Sequence, residues 1–164
     1  MALVILALMV YLLTEVPNPS KEKNIIFDKR SNQFLKIAII LSLIQITLGT
    51  QVRQLIDEIA SSLNHMQRNL WVDLVGTTFK VHRSFAISIV IINVALFFRN
   101  YKLKYRYQLV NFICVVVLLE VLSGIILTYF DMLALMQPIH LIVASLLFVL
   151  QIALYFQLQK SKSN

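Results

Sequence analysis

Residues 108–129 read QLVNFICVVVLLEVLSGIILTY, a stretch whose one ionisable carboxyl is that of Glu120. About 20 predominantly apolar residues are what an α-helix needs to cross a hydrocarbon core. Segments at roughly 35–54, 82–98 and 138–158 have the same character. Over all 164 residues the chain is 59% hydrophobic, with three glycines and three prolines. Its mean hydropathy is +0.77. A water-soluble domain of this size cannot bury so much apolar surface, so the solvent is a bilayer. The expected fold is all-α: a polytopic membrane four-helix bundle over 35–164.

Working outward, residues 1–14 are apolar but short, and no basic residue precedes Lys21. A secretory signal carries positive charge before its apolar run. The segment therefore reads as the remnant of a preceding membrane helix, and the chain as a fragment or one half of a split protein. Residues 15–34 read as a cytoplasmic loop.

The formal net charge is +7. Lys21, Lys23, Lys29, Arg30 and Lys36 precede the first long segment; Arg99, Lys102, Lys104 and Arg106 follow the second; Lys160 and Lys162 lie in the tail. Only Arg53, Arg68, Lys80 and Arg83 fall on the other side, mixed with acidic residues. By the positive-inside rule the basic loops face the cytoplasm of a bacterial-type plasma (inner) membrane. The cations form no continuous stripe, which argues against nucleic acid as a partner and leaves membrane lipid.

The four segments form two repeated pairs. Ile44-Gln45-Ile46-Thr47-Leu48-Gly49 matches Leu119-Glu120-Val121-Leu122-Ser123-Gly124, and each block lies one helix upstream of a histidine. Those histidines share a setting, Val81-His82-Arg83-Ser84-Phe85-Ala86 and Ile139-His140-Leu141-Ile142-Val143-Ala144. Both pairs run outward and then inward, so an axis along the membrane normal relates them. It carries His82 onto His140. Counted from the basic flanks Arg99 and Lys160, both lie roughly 25–30 Å from the inner surface at 1.5 Å per residue, near the outer edge of the bilayer.

Two imidazoles on helices either side of a bundle suit the axial positions of heme iron. Ala86 and Ala144, one turn beyond each histidine, leave room for a flat ring. Gly49 and Gly124 allow close approach. Arg53, Gln51 and Arg83 lie near the same depth and suit the propionates, since arginine's planar fork binds a carboxylate with two hydrogen bonds. Arg83 also suits a surface anchor.

Glu120 is costly at its depth, and a hydrogen bond across the bundle to Gln45 is one resolution; a proton relay is another. The one cysteine, Cys114, lies in an apolar helix and reads as a small buried hydrophobe. His65 reads as solvated. Trp71 reads as an interfacial anchor. Residues 57–74 are expected to form a short amphipathic helix over the site, with Ile59, Leu63, Met66 and Leu70 on one face.

Leu48-Gly49-Thr50-Gln51-Val52-Arg53, then Val81-His82-Arg83-Ser84-Phe85-Ala86, then Gln137-Pro138-Ile139-His140-Leu141-Ile142-Val143-Ala144, resemble the C-terminal half of heme A synthase. The resemblance covers about residues 1–160. It implies a protein of two similar four-helix halves that oxidises the C8 methyl of heme O toward heme A, with heme b in the C-terminal half and the substrate heme in the other. His82 and His140 then take the axial-ligand role for heme b. The implied partners are heme O, reached through the missing N-terminal half, heme O synthase, and an electron donor that the resemblance does not identify. The family's substrate half carries a glutamate three residues before its first histidine; Phe79 stands there in this chain. The expectation is therefore a cofactor-holding half of a synthase, incomplete as an enzyme by itself. The alternative is a stand-alone membrane b-type cytochrome carrying electrons. A transporter or structural subunit without cofactor is a third reading, in which Glu120 would matter more than either histidine.

Overall fold

Asp28 starts the first long helix. Its carboxylate accepts from the backbone N–H of Ser31 at 2.8 Å and from the Ser31 hydroxyl at 2.7 Å. Such a side chain satisfies a donor that the first helical turn leaves unpaired. In the computed structural model, residues 27–103 and 107–163 are described; the apolar run at 1–14 and most of the loop at 15–34 lie outside them. From the cap run α1 (Lys29–Ser62), a 3-10 turn (Arg68–Leu70), α2 (Trp71–Val75), α3 (Thr77–Lys102), α4 (Gln108–Tyr129) and α5 (Met136–Ser163). No strand is present among the described residues. Four helices are long and apolar enough to cross a membrane, making this an integral membrane protein.

α1 outlasts its apolar run, 35–54, at both ends. Residues 29–34, expected in the cytoplasmic loop, are helical. Beyond residue 54 the helix turns amphipathic and buries Ile56 and Ala60 against Trp71 and Val75. The single amphipathic helix expected over 57–74 does not form. α1 takes 57–62, and the His65 N–H bonds back to the Ala60 carbonyl at 2.7 Å. Asn64, His65 and Gln67 then adopt left-handed backbone conformations, which end a right-handed helix. Ile59 and Leu63 join the cluster around Trp71, while Met66 and Leu70 are exposed. Trp71 is not an interfacial anchor: it is 4% exposed, and its indole N–H donates to the Met66 carbonyl at 2.9 Å. His65 is exposed, as expected. Gly76, with φ 66 and ψ −125, makes the sharp break between α2 and α3 in a region that only glycine enters easily.

α1 packs on α3 and α5, and α4 packs on the same two helices. The four therefore form a ring in which α3 and α5 are diagonal, as are α1 and α4. The repeat is visible in the burial. Leu35, Ala38 and Ser42 of α1 are buried, and so are Val110, Ile113 and Val117, their mates in α4 at the spacing that relates Gly49 to Gly124. Ile89, Asn93, Leu96 and Asn100 of α3 are buried, and so are Leu147, Gln151, Leu154 and Leu158, at the spacing that relates His82 to His140. Outward positions such as Ile40, Ile91, Phe112 and Ile142 are apolar and exposed, whereas Ser42, Asn93, Ser123 and Gln151 are polar and buried. That inversion is what lipid as solvent demands.

Polar pairs tie the end of the bundle where α1 begins and α5 ends. Arg99 grips the Asp28 carboxylate with two bonds, at 3.0 and 2.7 Å. Gln159 donates to Asn32 at 3.0 Å, joining α5 to α1. Asn100 brackets the α3–α4 turn by bonding both the N–H and the carbonyl of Tyr107.

Candidate functional site

Each histidine is held within its own repeat. His82, on α3, faces α1: the Gln45 amide nitrogen lies 3.3 Å from Nε2. A Cβ added at Gly49 would sit 3.3 Å from His82 Cε1. His140, on α5, faces α4 in the same way. The Glu120 Oε1 lies 3.2 Å from Nε2, and a Cβ at Gly124 would sit 3.5 Å from Cε1. A glycine one turn above a polar side chain thus receives the edge of each imidazole. The cross-bundle bond between Glu120 and Gln45 does not form; each is spent on the nearer histidine.

The halves differ in one contact. The Ser123 hydroxyl lies 2.7 Å from His140 Nδ1 and donates to the Glu120 carbonyl at 2.9 Å. At the matching place in α1 stands Leu48. Among the described residues, His82 Nδ1, Gln45 Oε1 and Glu120 Oε2 are buried without a hydrogen-bond partner. Buried polar atoms are nearly always paired, so three orphans around two histidines mark a place built for something else.

Three turns farther along α3 and α5 the bundle closes. Gln151 Nε2 donates to Asn93 Oδ1 at 3.2 Å, joining the diagonal helices directly, and Gln151 Oε1 accepts from Ser42 at 2.9 Å. This floor was missed in the sequence, although the spacing that equates the histidines also equates Asn93 with Gln151. Cys114 is partly buried, with its sulfur 3.9 Å from the Asn93 carbonyl.

Ala86 and Ala144 are part-buried on the histidine helices. The three residues expected at the wet end are not drawn to the rings by any described contact. Gln51 and Arg83 are exposed, and Arg53 pairs with Asp57, one turn along α1, at 3.3 Å. That local spacing offers arginine a partner without any ligand. Phe79 packs into the cluster around Trp71.

Residues 1–152 match the family of the cytochrome oxidase assembly protein, COX15-CtaA, and the chain belongs to that family. No curated protein and no solved structure matches it. Its role is thus in cytochrome oxidase assembly and heme A synthesis.

Proposed function

We propose that this chain is the heme b-holding half of a heme A synthase, with His82 and His140 as the two axial ligands. One observation carries the reading: equivalent histidines stand on diagonal helices, each against a glycine, with unpaired buried polar atoms around them. The donor set suits a metal that brings its own equatorial ligands. Among the described residues no three histidine, cysteine or carboxylate side chains converge as a metal-binding set. Two imidazoles on diagonal helices suit the two open positions of a porphyrin iron. Bound there, heme b supplies a one-electron couple.

The chain's own residues do the rest. Gly49 and Gly124 leave space at the ring edges, and the Ser42–Gln151–Asn93 network closes the inner side. The apolar flanks of the helices exclude water. Phe79 offers no carboxylate at the place where the resemblance puts one in the substrate half, so oxidation of heme O belongs to a second four-helix half. Heme O, heme O synthase and an electron donor are the partners this reading requires. The wet-end cations Arg53 and Arg83, with Gln51, remain the residues proposed for the propionates, with Arg53 leaving Asp57 to take part.

Purification of the full chain in detergent tests the reading. A low-spin six-coordinate heme spectrum is expected, and its loss when His82 and His140 are both replaced by alanine. Six-coordinate heme retained by that double variant would rule out the assignment.

A further inference from the structure

The two histidines are not equivalent, and the difference lies in one hydroxyl. Ser123 is 5% exposed, and its Oγ touches two groups: the Glu120 carbonyl at 2.9 Å and His140 Nδ1 at 2.7 Å. A serine hydroxyl has a single proton to give. Given to the Glu120 carbonyl, which can only accept, that proton is no longer open to His140. The contact with His140 is then a hydrogen bond only if Nδ1 carries the proton and donates it to Oγ. In that arrangement Ser123 selects the Nδ1–H tautomer, and Nε2, which the Glu120 carboxyl meets at 3.2 Å, becomes the ligating nitrogen when Glu120 moves off it. An oxygen accepting from the distal N–H of a ligating imidazole also holds the ring plane and makes the ligand more basic.

His82 has no such support. Leu48 stands where Ser123 stands in the other repeat and has no acceptor to offer. His82 Nδ1 is buried without a partner among the described residues. What touches the ring is the Gln45 amide at Nε2 and the space left by Gly49. Nothing described orients the ring through its second nitrogen.

We propose that Ser123 is a positioning residue that makes His140 the firm axial ligand and leaves His82 as the displaceable one, so that the bound ferrous heme takes a small diatomic ligand on the His82 side. This rests on the heme reading above. Carbon monoxide is the probe: it replaces the His82 nitrogen on iron, with no net electron transfer.

The test uses the full chain in detergent. In the heme-free protein, nitrogen NMR of the imidazoles is expected to show His140 as the Nδ1–H tautomer in the parent chain and in Ser123→Thr, and a mixture in Ser123→Ala. The Nε2–H tautomer in the parent chain overturns the proposal whatever the heme does. In the loaded protein, His82→Ala is expected to keep a five-coordinate heme that His140→Ala loses. Ser123→Ala should weaken heme retention about 10–100-fold, the usual effect of removing such an outer partner, and raise the reduction potential, with Ser123→Thr restoring both. Leu48→Ser places a hydroxyl below His82 and should weaken carbon monoxide binding about tenfold. Equal heme loss in the two histidine variants, or unchanged carbon monoxide binding in Leu48→Ser, sinks this inference alone. A parent chain that takes up no heme at all sinks the reading beneath it as well.

Discussion

Gln151 hydrogen-bonds Asn93 across the bundle, Nε2 to Oδ1 at 3.2 Å, from places eleven residues beyond His140 and His82 respectively. Eleven residues make about three helical turns, so each amide lies on the same face as its histidine. The diagonal helices thus touch at one level and carry the two histidines at another.

That floor is testable. Gln151→Leu leaves both Asn93 Oδ1 and the Ser42 hydroxyl unpaired in the interior, whereas Asn93→Leu strands only one Gln151 donor. Each orphaned group costs about 1–3 kcal/mol, so Gln151→Leu should be the more damaging. The double variant should be less destabilised than the two singles added together, with a coupling of about 0.5–3 kcal/mol. Thermal unfolding in detergent measures this; strict additivity would show that the contact carries no energy.

The glycines make a graded prediction. A Cβ at Gly124 meets His140 at an ordinary 3.5 Å, while at Gly49 it meets His82 at 3.3 Å, so there the ring must give by a few tenths of an ångström. Alanine gains up to about 1 kcal/mol in helix propensity at either place. Gly124→Ala is expected to be as stable as the parent chain or more so, with an unaltered heme spectrum. Gly49→Ala should gain less and shift the spectrum, because it moves the proposed ligand His82. The reverse order in paired melting and absorbance measurements would refute this account.

Glu120 is expected to tolerate glutamine. Gln45 is its mate in the repeat, and its amide meets His82 Nε2 as the Glu120 carboxyl meets His140 Nε2. An amide N–H can donate to the same nitrogen, so Glu120→Gln should change stability by about 1 kcal/mol or less, whereas Glu120→Leu removes the partner and should cost about 1–3 kcal/mol. Equal destabilisation by both, in the same melting assay, would mean the carboxylate itself is needed.

The four spans, the repeat, the histidine pair and its glycines were all legible in the sequence, because each is a local pattern of apolar runs interrupted at matched places. What could not be read is where a polar group finds its partner. Glu120 and Gln45 looked like partners for each other, yet each had a histidine one helix away, which is nearer than the far side of a bundle. Arg53 looked free for a ligand until its neighbour one turn on, Asp57, claimed it. Asn93 and Gln151 drew no reading from the sequence, since only the fold shows that they meet. Trp71 was mistaken for an anchor because the α1 extension that buries it carries charges on its other face.

Acid should weaken the end of the bundle that Asp28 and Arg99 tie together. The Arg99 guanidinium holds that carboxyl well below the usual carboxylate range, outweighing desolvation, with the Ser31 bonds adding to the effect. The folded chain then binds this proton less readily than the unfolded one. The stabilisation is present above the ordinary carboxylate value of about 4 and is lost as pH falls below it toward the depressed one. Asp28→Asn keeps a competent helix cap but cannot pair with Arg99. Its stability is expected to start lower at neutral pH and to show a shallower acid decline. Parallel acid declines in the variant and the parent chain would place the sensitivity elsewhere.

Trp71 is expected to hold together the end of the bundle opposite Asp28. It is 4% exposed among Ile56, Ala60 and Val75, with Phe79 of α3 and Met132 of the α4–α5 turn packed around the same cluster. Removing a buried tryptophan costs about 3–5 kcal/mol, more than a segment with two short helices can absorb. Trp71→Ala should therefore open residues 63–76 locally while the four spans stay folded. Trp71→Phe keeps most of the packing and gives up one bond to the carbonyl of Met66, a residue 68% exposed where water is a ready substitute, so it should behave nearly like the parent chain. Limited proteolysis reads this directly: rapid cleavage within 63–76 is expected in Trp71→Ala alone. Resistance equal to that of the parent chain would mean the outer segment is held by something other than this side chain.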